Sequence, residues 1–159
     1  MTHDHELVST IFAGWQAYQG ALIKALQPLE PHQLTLRAAP DLRTVGEIAR
    51  HMIGARARWF GDWVGDEFAD FATWDRRDAP ERSAAELVSG LQATWQGMHQ
   101  AIARWTPEEW AETYPGEYPD DPEVITRAWV IWHLIEHDLH HGGEISLTLG
   151  AYSVPALDL

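Results

Sequence analysis

Four of the chain's nine histidines fall within nine residues, in the run Trp132-His133-Leu134-Ile135-Glu136-His137-Asp138-Leu139-His140-His141-Gly142-Gly143-Glu144. Residues four apart on an α-helix lie about 40° apart on one face and one turn apart, so two imidazoles at that spacing can share a metal, as in helices of the HExxH type. His137 and His141 make such a pair. His133 and His137 make another, and spacing alone leaves the choice between them open. Two imidazoles bind weakly, so a third ligand must come from elsewhere, and His51 is the candidate. It flanks the apolar seam between Ile48 and Ala55, where it can face a partner helix, and the small Gly54 and Ala55 leave room nearby. Glu47 and Glu144 sit within a turn of His51 and His141, placed to accept hydrogen bonds from the ligands' second ring nitrogens or to ligate directly. His140, about 60° around the helix from His137, is a candidate for proton transfer or for supporting a ligand, as is Glu144. The ordinary alternative is a solvated histidine run with weak metal affinity. His3, His5, His32 and His99 stand alone and are expected at the surface.

The chain has no cysteine, which removes disulfides, Cys-ligated zinc, iron–sulfur clusters and a Cys nucleophile. Any metal site is built from His, Asp and Glu. His133-Leu134-Ile135-Glu136-His137 matches the H-x-x-E-H of inverted zinc peptidases. That chemistry needs a further acidic ligand downstream, and only 22 residues follow His137. A di-iron bundle fits poorly, because it wants paired Glu-x-x-His elements and further carboxylates on other helices, and no Glu-x-x-His occurs. Hemerythrin-like iron binding shares the His-x-x-x-His element but asks for more ligands than the other helices offer. The formal charge of −13 argues against nucleic acid and against an anionic membrane surface. No run approaches the ~18–20 apolar residues of a membrane span. The start, Met1-Thr2-His3-Asp4-His5, has no basic segment followed by an apolar stretch. A soluble, cytoplasmic protein is expected.

Four helices are expected to position these groups. The first covers residues 6–26, where Val8, Ile11, Phe12, Trp15, Tyr18, Leu22 and Leu26 recur at spacings of three and four. The second opens on the capping box Thr44-Val45-Gly46-Glu47 and carries Val45, Ile48, Met52, Ala55 and Trp59 toward Gly61. The third opens on a second box, Ser83-Ala84-Ala85-Glu86, with a seam of Ala84, Val88, Leu91, Trp95, Met98, Ile102 and Trp105. The fourth is expected to begin near Asp121-Pro122-Glu123 and to continue to about Gly150. Gly142-Gly143 in its interior costs up to ~1 kcal/mol per Gly relative to Ala, which signals close packing, a bend or a nearby ligand, or an early end at Gly142. The 159 residues suit one domain, an all-α four-helix bundle, with a core rich in its nine tryptophans. Residues 27–43, 65–82 and 106–120 are long connections for a bundle, long enough to cross it or to cover a site. No strand is expected; Leu34-Thr35-Leu36 and the Tyr114/Tyr118 stretch are too short. Trp59 and Trp132 are candidates to line a pocket, with core packing the plainer role.

Two elements together carry a family resemblance. Thr44-Val45-Gly46-Glu47-Ile48-Ala49-Arg50-His51 and His137-Asp138-Leu139-His140-His141-Gly142-Gly143-Glu144 resemble, in order and separation, the motifs of DinB/YfiT-like metal-binding bundles. The usual helix-four pattern there is H-x-x-H-H-R-G-Q. The resemblance spans nearly the whole chain and implies His51, His137 and His141 as the metal triad, a non-sequential helix arrangement and a homodimer. Gly142 stands where that pattern has Arg, and Glu144 where it has Gln, removing one contact for a substrate carboxylate and making the site more acidic. The activity implied is that of a metal-dependent enzyme on a small molecule, a thiol S-transferase or a hydrolase, using one divalent metal (Zn, Ni or Fe). With no Cys in the chain, the sulfur must arrive on a low-molecular-weight thiol cosubstrate. A metal-binding stress or damage-response protein without turnover is the alternative, and a dimerising bundle with a vestigial His cluster the third.

Overall fold

A computed structural model describes residues 2–64, 68–114 and 125–159. Four long helices dominate: α1 (Thr2–Leu26), α3 (Val45–Val64), α5 (Ala84–Ile102) and α7 (Arg127–Ala151). Three single-turn helices lie in the connections, α2 (Pro31–Leu34), α4 (Ala69–Ala72) and α6 (Pro107–Trp110), and α6 precedes a strand β1 (Thr113–Tyr114) paired with β2 (Ile125–Thr126). The fold is all-α.

Local chemistry sets the helix starts. The Thr44 N–H donates to Glu47 Oε2 at 2.7 Å and the Glu47 N–H donates to Thr44 Oγ1 at 3.1 Å, a reciprocal cap at the head of α3. Ser83 and Glu86 do the same for α5, and Thr106 and Glu109 for α6. Thr126 caps α7, its Oγ1 accepting from the Trp129 N–H. The start expected at Asp121-Pro122-Glu123 lies outside the described residues. α5 stops at Ile102, three residues short of the Trp105 that its seam suggested, and the chain turns there into α6. The antiparallel pair of β1 and β2, with Thr113 opposite Thr126, is a feature the sequence does not announce. Two-residue strands are too short to show an alternating pattern.

α3 packs chiefly against α5 and α7, and so does α1. The consecutive long helices α1 and α3 therefore stand across the bundle from one another, which the long connections allow. The core has two apolar ends. One contains Leu22, Leu26, Ile48, Leu87, Leu91 and Leu149; the other contains Trp15, Phe60, Met98, Val130, Ile131 and Leu134. Val8 and Ile11 of the expected α1 stripe stay exposed, and burial begins near Phe12.

Between the two ends runs a polar layer that touches all four long helices. Arg56 of α3 is 1% exposed and Asp138 of α7 is 0% exposed. The guanidinium donates through Nε to Oδ1 at 3.2 Å and through Nη2 to Oδ2 at 2.7 Å. Trp15 Nε1 donates to the same Oδ2 at 2.7 Å, Arg56 Nη2 also donates to Gln19 Oε1, and Gln19 Nε2 donates to the Leu91 carbonyl of α5. A buried ion pair is tolerable only when every lone pair and proton is used, and this one is close to saturated. Burial, with the Asp138 carboxylate, raises the pKa of the neighbouring Tyr18 phenol.

Gly142 explains why α7 passes through its glycine pair without breaking. A Cβ there would lie 2.1 Å from Tyr18 Oη, so only glycine lets α1 approach this closely, and the Tyr18 hydroxyl then donates to the Leu139 carbonyl. Of the readings the glycine pair left open, close packing is the one realised.

Candidate metal centre

α3 contributes His51, and α7 contributes His137 and His141 one turn apart. Each of the three offers a ring nitrogen, and these nitrogens lie within 4.8 Å of one another. His51 Nε2 faces His137 Nε2 at 3.1 Å. Two nitrogens on one tetrahedral zinc stand about 3.3 Å apart, given Zn–N distances of about 2.0–2.1 Å, so the observed separation fits shared coordination. The ring centroids are 4.4 Å apart for His137 and His141, and 4.7 Å for His51 and His141.

The far side of each ring decides which nitrogen is presented. His141 Nδ1 lies 2.6 Å from Glu144 Oε2, which fixes its proton there and leaves Nε2 as the free donor of a lone pair. Glu144 thus takes the supporting position open to it from sequence. Glu47 does not, because its carboxylate is spent on the α3 cap. Asp75 occupies that place instead: its Oδ2 is 3.2 Å from His51 Nδ1, without hydrogen-bond alignment, and it is also paired with Arg58. Asp75 comes from the connection between α4 and α5. That segment lies so close to α3 that a Cβ on Gly54 would meet Asp75 Cβ at 2.4 Å. The room at Gly54 therefore goes to Asp75. Arg50 anchors the same connection by donating to the carbonyls of Ala79 at 2.7 Å and Pro80 at 3.2 Å. No periodicity marks Asp75 in the sequence; the one available signal was Gly54, a glycine in a helix interior. His137 Nδ1 is buried and has no hydrogen-bond partner among the described residues.

All three imidazoles are held neutral. Burial lowers the His51 pKa, helped by Arg43 and opposed by Asp75. Burial, then the neighbouring His141, His51 and His133, take His137 down to about 3. His141 is also lowered by burial, although Glu144 pulls the other way. Neutral rings present lone pairs near pH 7 without first losing a proton, as divalent metals require. Four features thus suit a divalent ion: an all-imidazole donor set, matched spacing, neutral rings and carboxylates behind two of them.

His133 stands outside this convergence. Its ring stacks on Trp129 at 5.2 Å and meets Trp59 edge-on at 4.8 Å, and its Nδ1 lies 3.1 Å from Glu136. Trp59 is thus half-buried against His133, whereas Trp132 is exposed. The His140 side chain is 67% exposed, with Nε2 3.7 Å from Glu144 Oε1. Glu144 consequently bridges His141 and His140, and a line of titratable groups leads from the triad to the surface. Among the described residues, no helix is long and apolar enough to cross a membrane.

The comparisons with known proteins agree with this architecture. The fold is similar to that of a DinB-like protein from Bacillus cereus ATCC 10987, with a TM-score of 0.72 and 18% identity over 93% of this chain and 94% of that one. It is also similar to the DinB-like protein YjoA from Bacillus subtilis, with a TM-score of 0.65 and 12% identity over 94% and 96% of the two chains. No curated protein matches significantly. The sequence profile of the DinB superfamily matches residues 15–145, a stretch that holds all three converging histidines, and the chain belongs to that superfamily.

Proposed function

We propose that His51, His137 and His141 bind one divalent metal through Nε2, and that the chain is a metal-dependent enzyme acting on a small molecule. The observation that carries this is the convergence of three neutral imidazoles from two helices, two of them backed by carboxylates. Three protein ligands leave a coordination position open, the arrangement of catalytic rather than structural sites. A metal bound there supplies a Lewis acid that acidifies a bound water or thiol, which suits hydrolysis or thiol S-transfer. The chain's own groups then position and carry protons. Glu144 fixes the ring orientation of His141, and Asp75 places a carboxylate 3.2 Å behind His51. Glu144, between His141 and the exposed His140, is placed to pass a proton to solvent. A thiol, if used, comes with a cosubstrate, because the chain has no cysteine.

One observation favours a non-catalytic metal-binding protein. Where the resembling family has an arginine after the last histidine, this chain has Gly142 with Tyr18 packed over it. Elemental analysis of untagged protein, purified without added metal or chelator, tests the site. About one metal per chain, lost in His51→Ala with helicity retained, is expected for a three-ligand centre. Absence of metal in the wild type, even after incubation with zinc or nickel and desalting, sinks it. Saturable turnover that a chelator abolishes and added metal restores then separates enzyme from binder.

A further inference from the structure

The chain carries a formal charge of −13 and only ten arginines beside its single lysine. Five of those ten, Arg37, Arg43, Arg50, Arg76 and Arg77, line one cleft of about 390 Å³ that has His51 in its wall. Three carboxylates share the wall, Asp41, Glu47 and Asp75, and two of them are committed elsewhere. Glu47 holds the α3 cap, and Asp75 faces His51 and Arg58. Arg50 donates through Nη1 to backbone carbonyls, and Arg76 makes a loose pair with Asp78 at 3.6 Å. Arg43 and Arg77 have no ion pair with any described residue. Arg43 also lines a second cleft, which contains Glu144, and its charge depresses the pKa values of both His51 and His141. It therefore stands beside the triad from two sides.

Guanidinium groups without carboxylate partners, gathered on one concave wall of an acidic protein, form a local positive field that draws in anions. Their fork geometry matches a carboxylate or a phosphate in two parallel hydrogen bonds. We propose that this cleft is an anion-binding subsite of the metal centre, in which Arg43 and Arg77 hold a carboxylate or phosphate group of a small anionic substrate beside His51. The proposal rests on the metal-centre reading and narrows its substrate to small acids or phosphate esters.

Calorimetric titration of malonate and of inorganic phosphate, into metal-loaded and metal-stripped protein, tests it. Saturable binding of at least one anion is expected in both forms, weakened roughly tenfold by Arg43→Gln and by Arg77→Gln, as loss of a charged hydrogen-bonding partner implies. Arg104→Gln, which removes the same charge at an exposed position outside the cleft, is expected to leave the affinity unchanged. Binding of malonate alone identifies a carboxylate, and of phosphate alone a phosphate ester. No binding, or equal affinity in the wild type and both cleft variants, overturns the subsite. Metal content measured on the same samples reports separately on the metal centre. Metal without arginine-dependent anion binding sinks only the subsite; arginine-dependent binding in protein that takes up no metal leaves an anion-binding cleft but sinks the centre, and with it the cleft's assignment as a subsite of that centre.

Discussion

His137 shows how a single residue is prepared for ligation. Burial and three neighbouring imidazoles hold its pKa at about 3, so its lone pair is available throughout the physiological range. We expect His137→Ala to lose metal far more completely than His133→Ala or His140→Ala, read by elemental analysis after desalting. Equal loss in His133→Ala would show that the pair beginning at His133 binds instead. Glu144 stands hydrogen-bonded behind His141, and Asp75 lies 3.2 Å behind His51, both at one remove from the proposed metal. Residues of that kind change metal affinity by about 10–100-fold when altered, so Asp75→Asn and Glu144→Gln should weaken binding by that order in a chelator competition. Affinities matching the wild type would reduce both carboxylates to bystanders. The histidines themselves were legible in the sequence because helical spacing converts directly into a shared face. Asp75 was not, because its position follows from how a loop packs on Gly54. Glu47 had two readings, the helix cap with Thr44 and a support for His51, and the local bond takes the carboxylate for the cap.

At the scale of the elements, the starts of α3 and α5 could be read from four-residue caps, since the interactions that define them are contained in those residues. The Arg56–Asp138 pair could not, because its partners are 82 residues apart and each alone reads as an ordinary polar position. The packing of α1 against α5 and α7 was likewise invisible to periodicity, which shows which face of a helix is buried but not what buries it. The ion pair makes a sharp forecast. Arg56→Met leaves Asp138 buried and unpaired, a defect of about 3–5 kcal/mol, whereas Arg56→Met with Asp138→Leu removes both charges and should cost less than the single change. Midpoints of urea unfolding compare them, and a double variant less stable than the single would refute this account of the layer. Gly142→Arg, which introduces the residue of the resembling family, must push Tyr18 out of a contact that even a Cβ cannot share. Overpacking of this kind costs about 1–3 kcal/mol, visible as a drop in Tm; an unchanged Tm would mean that Tyr18 moves freely.

For the molecule as a whole, a metal held by the three rings would compete with protons for them, and that linkage can be read from stability. The folded-state pKa values of His51, His137 and His141 are all lowered from 6.5, so below that value the unfolded chain binds more protons than the folded one. Stability therefore falls with falling pH. In the metal-stripped protein this loss begins near 6.5 and, for His137, continues toward its folded value of about 3. A metal that binds only the folded state adds about 2.7 kcal/mol when its free concentration is 100 times its Kd. For a chain of this size that is an increase in Tm of roughly 5–10 °C. Protons bind the same nitrogens once the rings begin to charge, so the increase should be largest near neutrality and shrink on acidification. Thermal melts of metal-loaded and metal-stripped protein at several pH values from about 7.5 down toward the folded His137 value of about 3 measure that gap. A gap that narrows in acid in the wild type is the result expected of ring ligands and ties metal to the folded bundle. A gap that stays constant even as the pH approaches the folded His137 value of about 3 would place the metal elsewhere than on these rings, and the converging histidines would then need a different purpose.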